Sequence, residues 1–571
     1  GMGGGGGPFG LYTTHKDFSE TFNYVKGAHS LKFGYNFIRS RLGTETAWNF
    51  RGSYSFSGIY SGYGLGDLLL GMPSSTTREI PFGAYPFANP PKLGVDQFES
   101  THFENHHYAF VQDDWRVSQK LSLSLGLRWE FNQPVVEAED RLANFIPGVL
   151  NGELLIVKVF PPSYQGADRQ VPTPPELGRS LLRSYKKNFA PRVGIAWSPT
   201  PNWVVRMGGG FFFADPPYNV KQILPDNSPW FWRQIFSNDI NNPTITLAQG
   251  FKELNTLSSG GFGINPDYRD STTYQWSLNI QRRLTRHTVV DAFYIGSRAI
   301  HLDSQQNLNV AKPGPGLLGP RRPYPKDPSY YYYSSSGFSR YNGVTFRIKQ
   351  EVSRGLTFLA HFSATRLWDT GNTQLFGPQD NYNLNAEYAP SSTNIPRRFV
   401  ASFVYELPVG PGKPALSHGP LSKILGGWTV TGIFIMQDGY PFHVTPSINT
   451  LNGEWSRLRL DRIRDGNLPT DQRTRLRWFD TDAFAQPPLY TFGNSARNVL
   501  EGPGLRSIDA GLLKNIALTE SKSLQFRAEF FNLPNFVNWG FPGSSMGTPT
   551  YGQIWSAGTS RDIQFALKFL F

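Results

Sequence analysis

Three features of the sequence predict an all-β chain that forms part of an antiparallel transmembrane β-barrel. Strand-length segments have one apolar and one polar face, the connections between them are alternately short and long, and tryptophans sit at both ends of the apolar faces. The clearest segment runs from Leu121 to Asn132. Leu121, Leu123, Leu125, Leu127, Trp129 and Phe131 share one face, and Ser122, Ser124, Gly126, Arg128, Glu130 and Asn132 the other. Its length meets the ~9 to 11 residues a tilted strand needs to cross a bilayer. Composition agrees: aromatics make up 15% and charged residues 17%, with 58 Gly and 44 Pro for turn-rich connections. No run of ~18 apolar residues occurs, which excludes a helical membrane protein but not a barrel, whose strands average to neutral hydropathy.

Residues 1–15 open on glycines with no Lys-Ser/Thr behind them, and read as a flexible loop remnant, not a phosphate loop. Residues 16–571 read as barrel. Asp17 to Val25 and Ser30 to Arg41 form the first pair, across Lys26-Gly27. After a long irregular stretch, Leu42 to Asn105, His107 to Val117 pairs with Leu121 to Phe131. Further pairs are Phe189 to Trp197 with Trp203 to Ala214, Thr273 to Arg283 with Thr288 to Leu302, and Gly343 to Val352 with Leu356 to Trp368. Arg398 to Leu407 and Trp428 to Tyr440 flank a Gly/Pro-rich connection, Pro408 to Gly427. Ser507 to Ala517 and Leu524 to Asn532 flank Glu520-Ser521-Lys522, and Asp562 to Phe571 is the last strand.

Between the pairs lie long segments such as Gln133 to Asn188, Asp215 to Thr272 and Phe442 to Arg506. Structureless loops of that length are rare in compact soluble domains, whereas barrels combine short turns on one side of the membrane with long loops on the other. With the end of the chain placed on the turn side, the phase never slips. Trp115, Trp197, Trp203 and Trp428 then fall at turn-side ends and Trp129, Trp276 and Trp368 at loop-side ends, all on the face assigned to lipid, as two aromatic girdles require. Roughly fifteen strands is an odd count where single-chain bacterial barrels have an even one. The first strand would run inward from outside, and no leader-like segment opens the chain. The expectation is the C-terminal part of a larger protein.

The net charge of +12 comes from dispersed basic residues, pairs such as Arg321-Arg322 and Arg397-Arg398 with no stripe or reader motif, so nucleic acid is not an expected partner. The absence of cysteine rules out a disulfide framework and thiolate metal sites. Gly314-Pro315-Gly316-Leu317-Leu318-Gly319 matches a dinucleotide fingerprint but lies among prolines, and reads as loop. His102, His106 and His107 with Asp113 and Asp114 offer metal-ligating types, yet the aspartates lie a strand away, and the set reads as a solvated rim. No metal, cofactor or catalytic constellation is expected. The polar faces carry Arg128, Glu130, Arg192, Arg206, Gln275, Asn279, Gln281, Arg347, Lys349, Glu351, Gln525, Arg527 and Glu529, readable either as a wall for passing solute or as water-facing charge pairs.

Ile563, Phe565, Leu567, Phe569 and the terminal Phe571 share a face, and this ending resembles the last strand of bacterial outer-membrane barrels, which carries the signal read by the barrel-assembly machinery. More specifically, Tyr108-Ala109-Phe110-Val111-Gln112-Asp113-Asp114-Trp115-Arg116, Leu125-Gly126-Leu127-Arg128-Trp129-Glu130, Leu425-Gly426-Gly427-Trp428, Gly439-Tyr440-Pro441-Phe442 and Phe526-Arg527-Ala528-Glu529-Phe530-Phe531-Asn532-Leu533 resemble, in order and spacing, TonB-dependent transporters with an Oar-like β-barrel, often preceded by a carboxypeptidase-regulatory-like domain. The resemblance implies an outer-membrane location among outer-membrane lipids, energised uptake of a siderophore, oligosaccharide or peptide, and a barrel of about 22 strands of which roughly seven lie upstream. It also implies a plug and a contact with the TonB complex through the missing N-terminal region. No particular solute is indicated, and Tyr330 to Tyr333 and Trp230-Phe231-Trp232 suit either ring stacking or loop packing. The rival expectations are a passive pore or adhesive surface protein with the same barrel, and a secreted β-rich carbohydrate-binding protein.

Overall fold

The computed structural model describes residues 9–46, 52–56, 60–61, 63–81, 99–150, 153–165, 171–227, 230–237, 243, 245–250, 261–325, 330–371, 377–446, 449–453, 457–519 and 521–571. The glycine run Gly1 to Gly7 and the turn residue Glu520 lie outside these, as do the side chains of Phe231 and Trp232.

Among the described residues the main sheet has eighteen strands. Three are short additions, Val136–Glu137, Phe262–Ile264 and Ala389–Pro390. The other fifteen form one antiparallel meander in which each strand pairs with the next: β1 Phe9–Lys26, β2 His29–Thr46, β3 Glu99–Arg116, β4 Leu121–Asn132, β5 Asn188–Thr200, β6 Trp203–Ala214, β7 Ser271–Arg283, β8 Thr288–Asn307, β9 Tyr331–Ser353, β10 Leu356–Asp369, β11 Arg397–Glu406, β12 Trp428–Gln437, β13 Leu505–Ala517, β14 Ser523–Phe531 and β15 Asp562–Leu570. Among the described residues β1 pairs only with β2 and β15 only with β14.

Register settles which side chains share a face. Leu125 stands opposite Val193, Val193 opposite Gly209, Gly209 opposite Trp276, and so on around the sheet to Phe565 opposite Ala528. All seven tryptophans of the expected girdles lie on this outward face. The residues expected on the polar face all lie on the other, with Arg206 opposite Asn279 and Gly511, beside Leu512, opposite Glu529. Glycines on the outward face make room for rings. A β-carbon on Gly296 would meet the Trp276 indole at 2.3 Å, and one on Gly432 would meet Phe403 at 2.4 Å.

The strands outrun the bilayer on the loop side. β9 has 23 residues, more than twice the ~9 to 11 a crossing takes, so Tyr331 to Tyr333 are strand where a loop was expected. The first strand likewise begins at Phe9 and not after residue 16. The long connections are folded. The connections after β4 and β6 share a core, Leu142, Val157, Val159, Leu177 and Leu181 of the first with Leu224 of the second. Another closes on Phe442, Val444, Leu460, Phe479, Phe484 and Leu500.

Candidate functional site at the loop end of the polar face

The polar face of β3 continues past the expected span as His102, Glu104 and His106, and the loops after β4 and β6 cover it, leaving His102 0%, Glu104 5% and His106 8% exposed. The solvated rim expected here is therefore a buried one. Nor do the five residues come together. His107 faces outward, where its Nδ1 lies 2.6 Å from the Tyr35 hydroxyl and its ring stacks on Phe131. Asp113 also faces outward, 2.7 Å from His29, while Asp114 on the polar face accepts from Ser124 at 2.6 Å.

Around Glu104 and His106 the fold assembles a different group. Lys221, at the end of the short helix Tyr218–Lys221, places its ammonium 2.8 Å from the Glu104 carboxylate and against Asp215, just beyond β6. His106 Nε2 lies 3.4 Å from Glu104 and its Nδ1 3.0 Å from Asn132 Oδ1, which also accepts from the Tyr108 hydroxyl at 3.0 Å. The Asn132 amide donates to Asp270 at 2.8 Å, and Asn188 donates to the same oxygen at 2.7 Å. Below, Arg128 pairs with Glu130 at 2.9 Å and lies over the Tyr108 ring, 4.6 Å from its centroid.

Burial raises the Asp270 carboxyl to about 6, and the nearby Asp215 charge adds to it. Burial also raises Asp215, against the pull of Lys221. For Lys221 burial acts downward, but Asp215 and Glu104 outweigh it and raise the ammonium. Donor atoms of Glu104, His106 and Asp215 lie within 4.8 Å of one another. A metal ion there would have to displace the Lys221 ammonium, which already bonds both carboxylates. The group is thus a lysine-neutralised clasp that fastens the loop after β6 to β3.

A second clasp ties the loops after β10 and β12. Arg459 makes two 2.9 Å bonds to the Glu387 carboxylate, both residues buried, and its Nε donates to the Ser495 carbonyl at 2.8 Å. Arg497 pairs with Asp369 at 2.6 Å beside it. The polar face between the loops and the turns is paired along itself, Arg347 with Asp291 at 2.9 Å and Arg206 with Gln281 at 3.1 Å. Tyr330, Tyr332 and Tyr333 pack into loop cores with Phe145 and Leu142 neighbours, which favours loop packing over ring stacking for those three. Of the clasp residues, sequence reading singled out only His106. Glu104 had a signal, since it shares the phase of His102 and His106, but Asp215, Lys221 and Asp270 come from loops with no local pattern.

A continuous antiparallel meander, apolar without, polar within and covered by folded loops at one end, is the wall of a membrane β-barrel. The chain belongs to the family described as outer membrane beta barrel domain, whose profile matches residues 1–564, and its place is the outer membrane. No curated protein matches it. The outer membrane transporter YddB from Escherichia coli is similar over 98% of this chain and 55% of its own, at 10% identity and a TM-score of 0.51, a likeness of fold alone. The ferripyoverdine receptor of Pseudomonas aeruginosa, at 11% identity over 98% of this chain and 48% of its own, gives a TM-score of 0.46. The FrpB iron transporter from Neisseria meningitidis, F5-1 variant, at 11% identity over 99% and 56%, also gives 0.46. The chain spans about half the length of these structures.

Proposed function

We propose that this chain is the wall of an outer-membrane transporter, of the TonB-dependent kind with an Oar-like barrel, that takes up a scarce, bulky solute of the siderophore, oligosaccharide or peptide class. The observation that carries the reading is the unbroken polar face of fifteen paired strands roofed by clasped loops, in a fold shared with a transporter. A passive pore has no need of loops fastened over its mouth by buried ion pairs. Residues 16–571 would be the C-terminal barrel portion. Backbone groups on the free sides of β1 and β15 cannot stay unpaired in hydrocarbon, so strands outside this sequence would complete the ring. A plug and a TonB-contacting segment would belong to the same upstream region, and the strand ending in Phe571 would serve the assembly machinery.

The test is uptake by cells expressing the complete reading frame, offered labelled solutes of the three classes before and after TonB depletion. Uptake of one class that disappears on depletion is the expected result. Entry that persists unchanged without TonB would replace the transporter with a pore.

A further inference from the structure

The outward face of β7 to β10 departs from a plain hydrophobic wall in two ways that meet. Nearer the turns it is hollow. Ala292 stands opposite Phe346, and Ala360 opposite Ile348, so two short side chains form a floor between Phe346, Phe362 and Ile280. The hollow holds about 550 Å³. Nearer the loops the same strands turn basic. Arg298 of β8 stands opposite Arg340 of β9, and Arg366 of β10 stands opposite Asn342, two residues from Arg340. Six residues, about 20 Å of strand, separate Arg298 from Ala292 and Arg366 from Ala360.

The arginines are exposed, and among the described residues no carboxylate pairs with any of them. Other arginines do have acidic partners, Arg347 in Asp291 on the polar face, Arg397 in Asp438 on β11 and Arg497 in Asp369 in the loops. Their level is that of the loop-side girdle. Arg366 lies over the Trp368 ring at 4.5 Å, Trp368 leans on Tyr388 at 5.5 Å, and a cleft of about 270 Å³ opens between Arg340, Asn342, Arg366 and these two rings. Asn342 Oδ1 accepts from Tyr294 at 2.9 Å, and Tyr294 in turn accepts from the Trp276 indole at 3.3 Å, which leaves the Asn342 amide donors for another acceptor. Three guanidinium forks on neighbouring strands, without acidic partners among the described residues and at headgroup depth, supply the planar N–H donors that a phosphate group takes. A hollow whose floor lies about 20 Å farther along the strands is within the span of an extended acyl chain.

We propose that this part of the outer wall holds a single phosphate-bearing lipid of the outer leaflet, its phosphate between Arg298, Arg340 and Arg366 and one acyl chain over Ala292 and Ala360. The distance from fork to hollow ties the two halves of the site to one molecule. A free anion would use the first half only, and a neutral lipid the second.

The complete protein, purified in a mild detergent, would be titrated with a synthetic diphosphorylated, multiply acylated disaccharide lipid, with its dephosphorylated form and with inorganic phosphate, bound lipid being counted by native mass spectrometry. One tightly retained phosphorylated lipid per protein is expected. Replacing all three arginines, Arg298→Gln with Arg340→Gln and Arg366→Gln, should weaken it roughly 100-fold at about a factor of five each. Arg340→Gln alone should weaken it about fivefold. Ala360→Trp, filling the hollow, should weaken the phosphorylated lipid with the arginines intact, and heat-modifiable migration on gels identifies folded material for every variant. Equal binding of the dephosphorylated lipid, unchanged binding by the triple variant, or full displacement by inorganic phosphate at the lipid's own concentration would overturn the proposal.

Discussion

The wall and the loops put the same residue types to opposite use. On the wall, Leu125 is 43% and Phe565 68% exposed, because the solvent they meet is hydrocarbon. In the loops, Phe160 and Phe479 are sealed from any solvent, because there the chain stands in water and must supply its own apolar phase. Polar groups invert in the same way. The wall's inward charges are partly wet and paired with neighbours two residues or one strand away, which is worth little. The loops bury Arg459 with Glu387 and Lys221 with Glu104, where desolvation makes the pairing obligatory. Wall stability is therefore set by depth in the membrane, and loop stability by a few buried contacts.

The largest expected effect separates the two. Arg459→Ala takes both short bonds from the buried Glu387 carboxylate and leaves it only Arg497 at 3.6 Å and the Gln379 N–H at 3.1 Å, at a cost of up to ~3 to 5 kcal/mol, and that cost falls on the loops alone. Hydrogen exchange should accelerate in 377–391 and 457–500 by two to three orders of magnitude, given about 1.4 kcal/mol per decade, while β11 and β12 keep their protection. Loss of protection in the strands as well would mean that wall and loops are one cooperative unit.

Next comes Leu125→Arg, which puts a cation near the middle of the bilayer at a cost of ~2 to 4 kcal/mol. Ser124→Arg, one residue away on the polar face, should cost far less. Folding of the complete barrel into vesicles of fixed thickness measures both. A greater loss at Ser124 than at Leu125 would reverse the faces, and the comparison with them.

A smaller effect belongs to the clasp. Asp270 has a folded-state pKa of about 6, above its ordinary value near 3.8. Between those values the folded form holds more protons at this carboxyl than the open one, so the contribution of Asp270 is greatest in acid and falls as pH rises from about 4 to about 6, by ~1 to 2 kcal/mol. Asp270→Asn keeps an acceptor for Asn132 and Asn188 and removes the charge. Exchange of the loop amides around Lys221 should rise more steeply across that window in the parent than in the variant, where Asp215 still titrates above its ordinary value. A parent that stabilises with rising pH would contradict the environment assigned to Asp270.

These contrasts also explain what could be read from the sequence. Period-two alternation from Leu121 to Phe131 is imposed by having lipid on one side and water on the other, so it survives without any knowledge of neighbours, and both the faces and the girdles followed from it. Beyond the bilayer that rule lapses. Tyr331 to Tyr333 remain in strand, but the neighbours Tyr332 and Tyr333 both pack into loop cores, so the alternation that marks a strand has no reason to persist. Asp215, Lys221 and Asp270 meet β3 only through three-dimensional closure of loops, and charge in a loop looks the same in sequence whether it ends buried or wet. The outward arginines at 298, 340 and 366 were hidden differently, since each is unremarkable in its own strand and only register brings them together.

The smallest expected effect tests whether depth alone governs the wall. Trp129 shares the outward face and the strand of Leu125 but lies at the loop-side girdle, where a cation costs only ~0 to 1 kcal/mol. Its indole N–H donates to the Lys186 carbonyl at 2.8 Å, a bond worth about 1 kcal/mol. Trp129→Arg supplies new N–H donors within reach of that carbonyl and of headgroup phosphates, so the bond can be remade and the net loss, lost ring packing aside, should stay near 1 kcal/mol. Trp129→Leu keeps the apolar face but offers no donor, and should cost about as much or more. That order is the informative one, because burial in a protein core would rank leucine far ahead of arginine. In vesicles with thicker bilayers the girdle sinks toward hydrocarbon, and the Trp129→Arg cost should climb toward that of Leu125→Arg while the leucine variant improves. If instead thickness leaves both variants unchanged, the outward face at Trp129 is packed against protein rather than lipid, and the division between wall and loops begins lower on β4 than the girdle marks it.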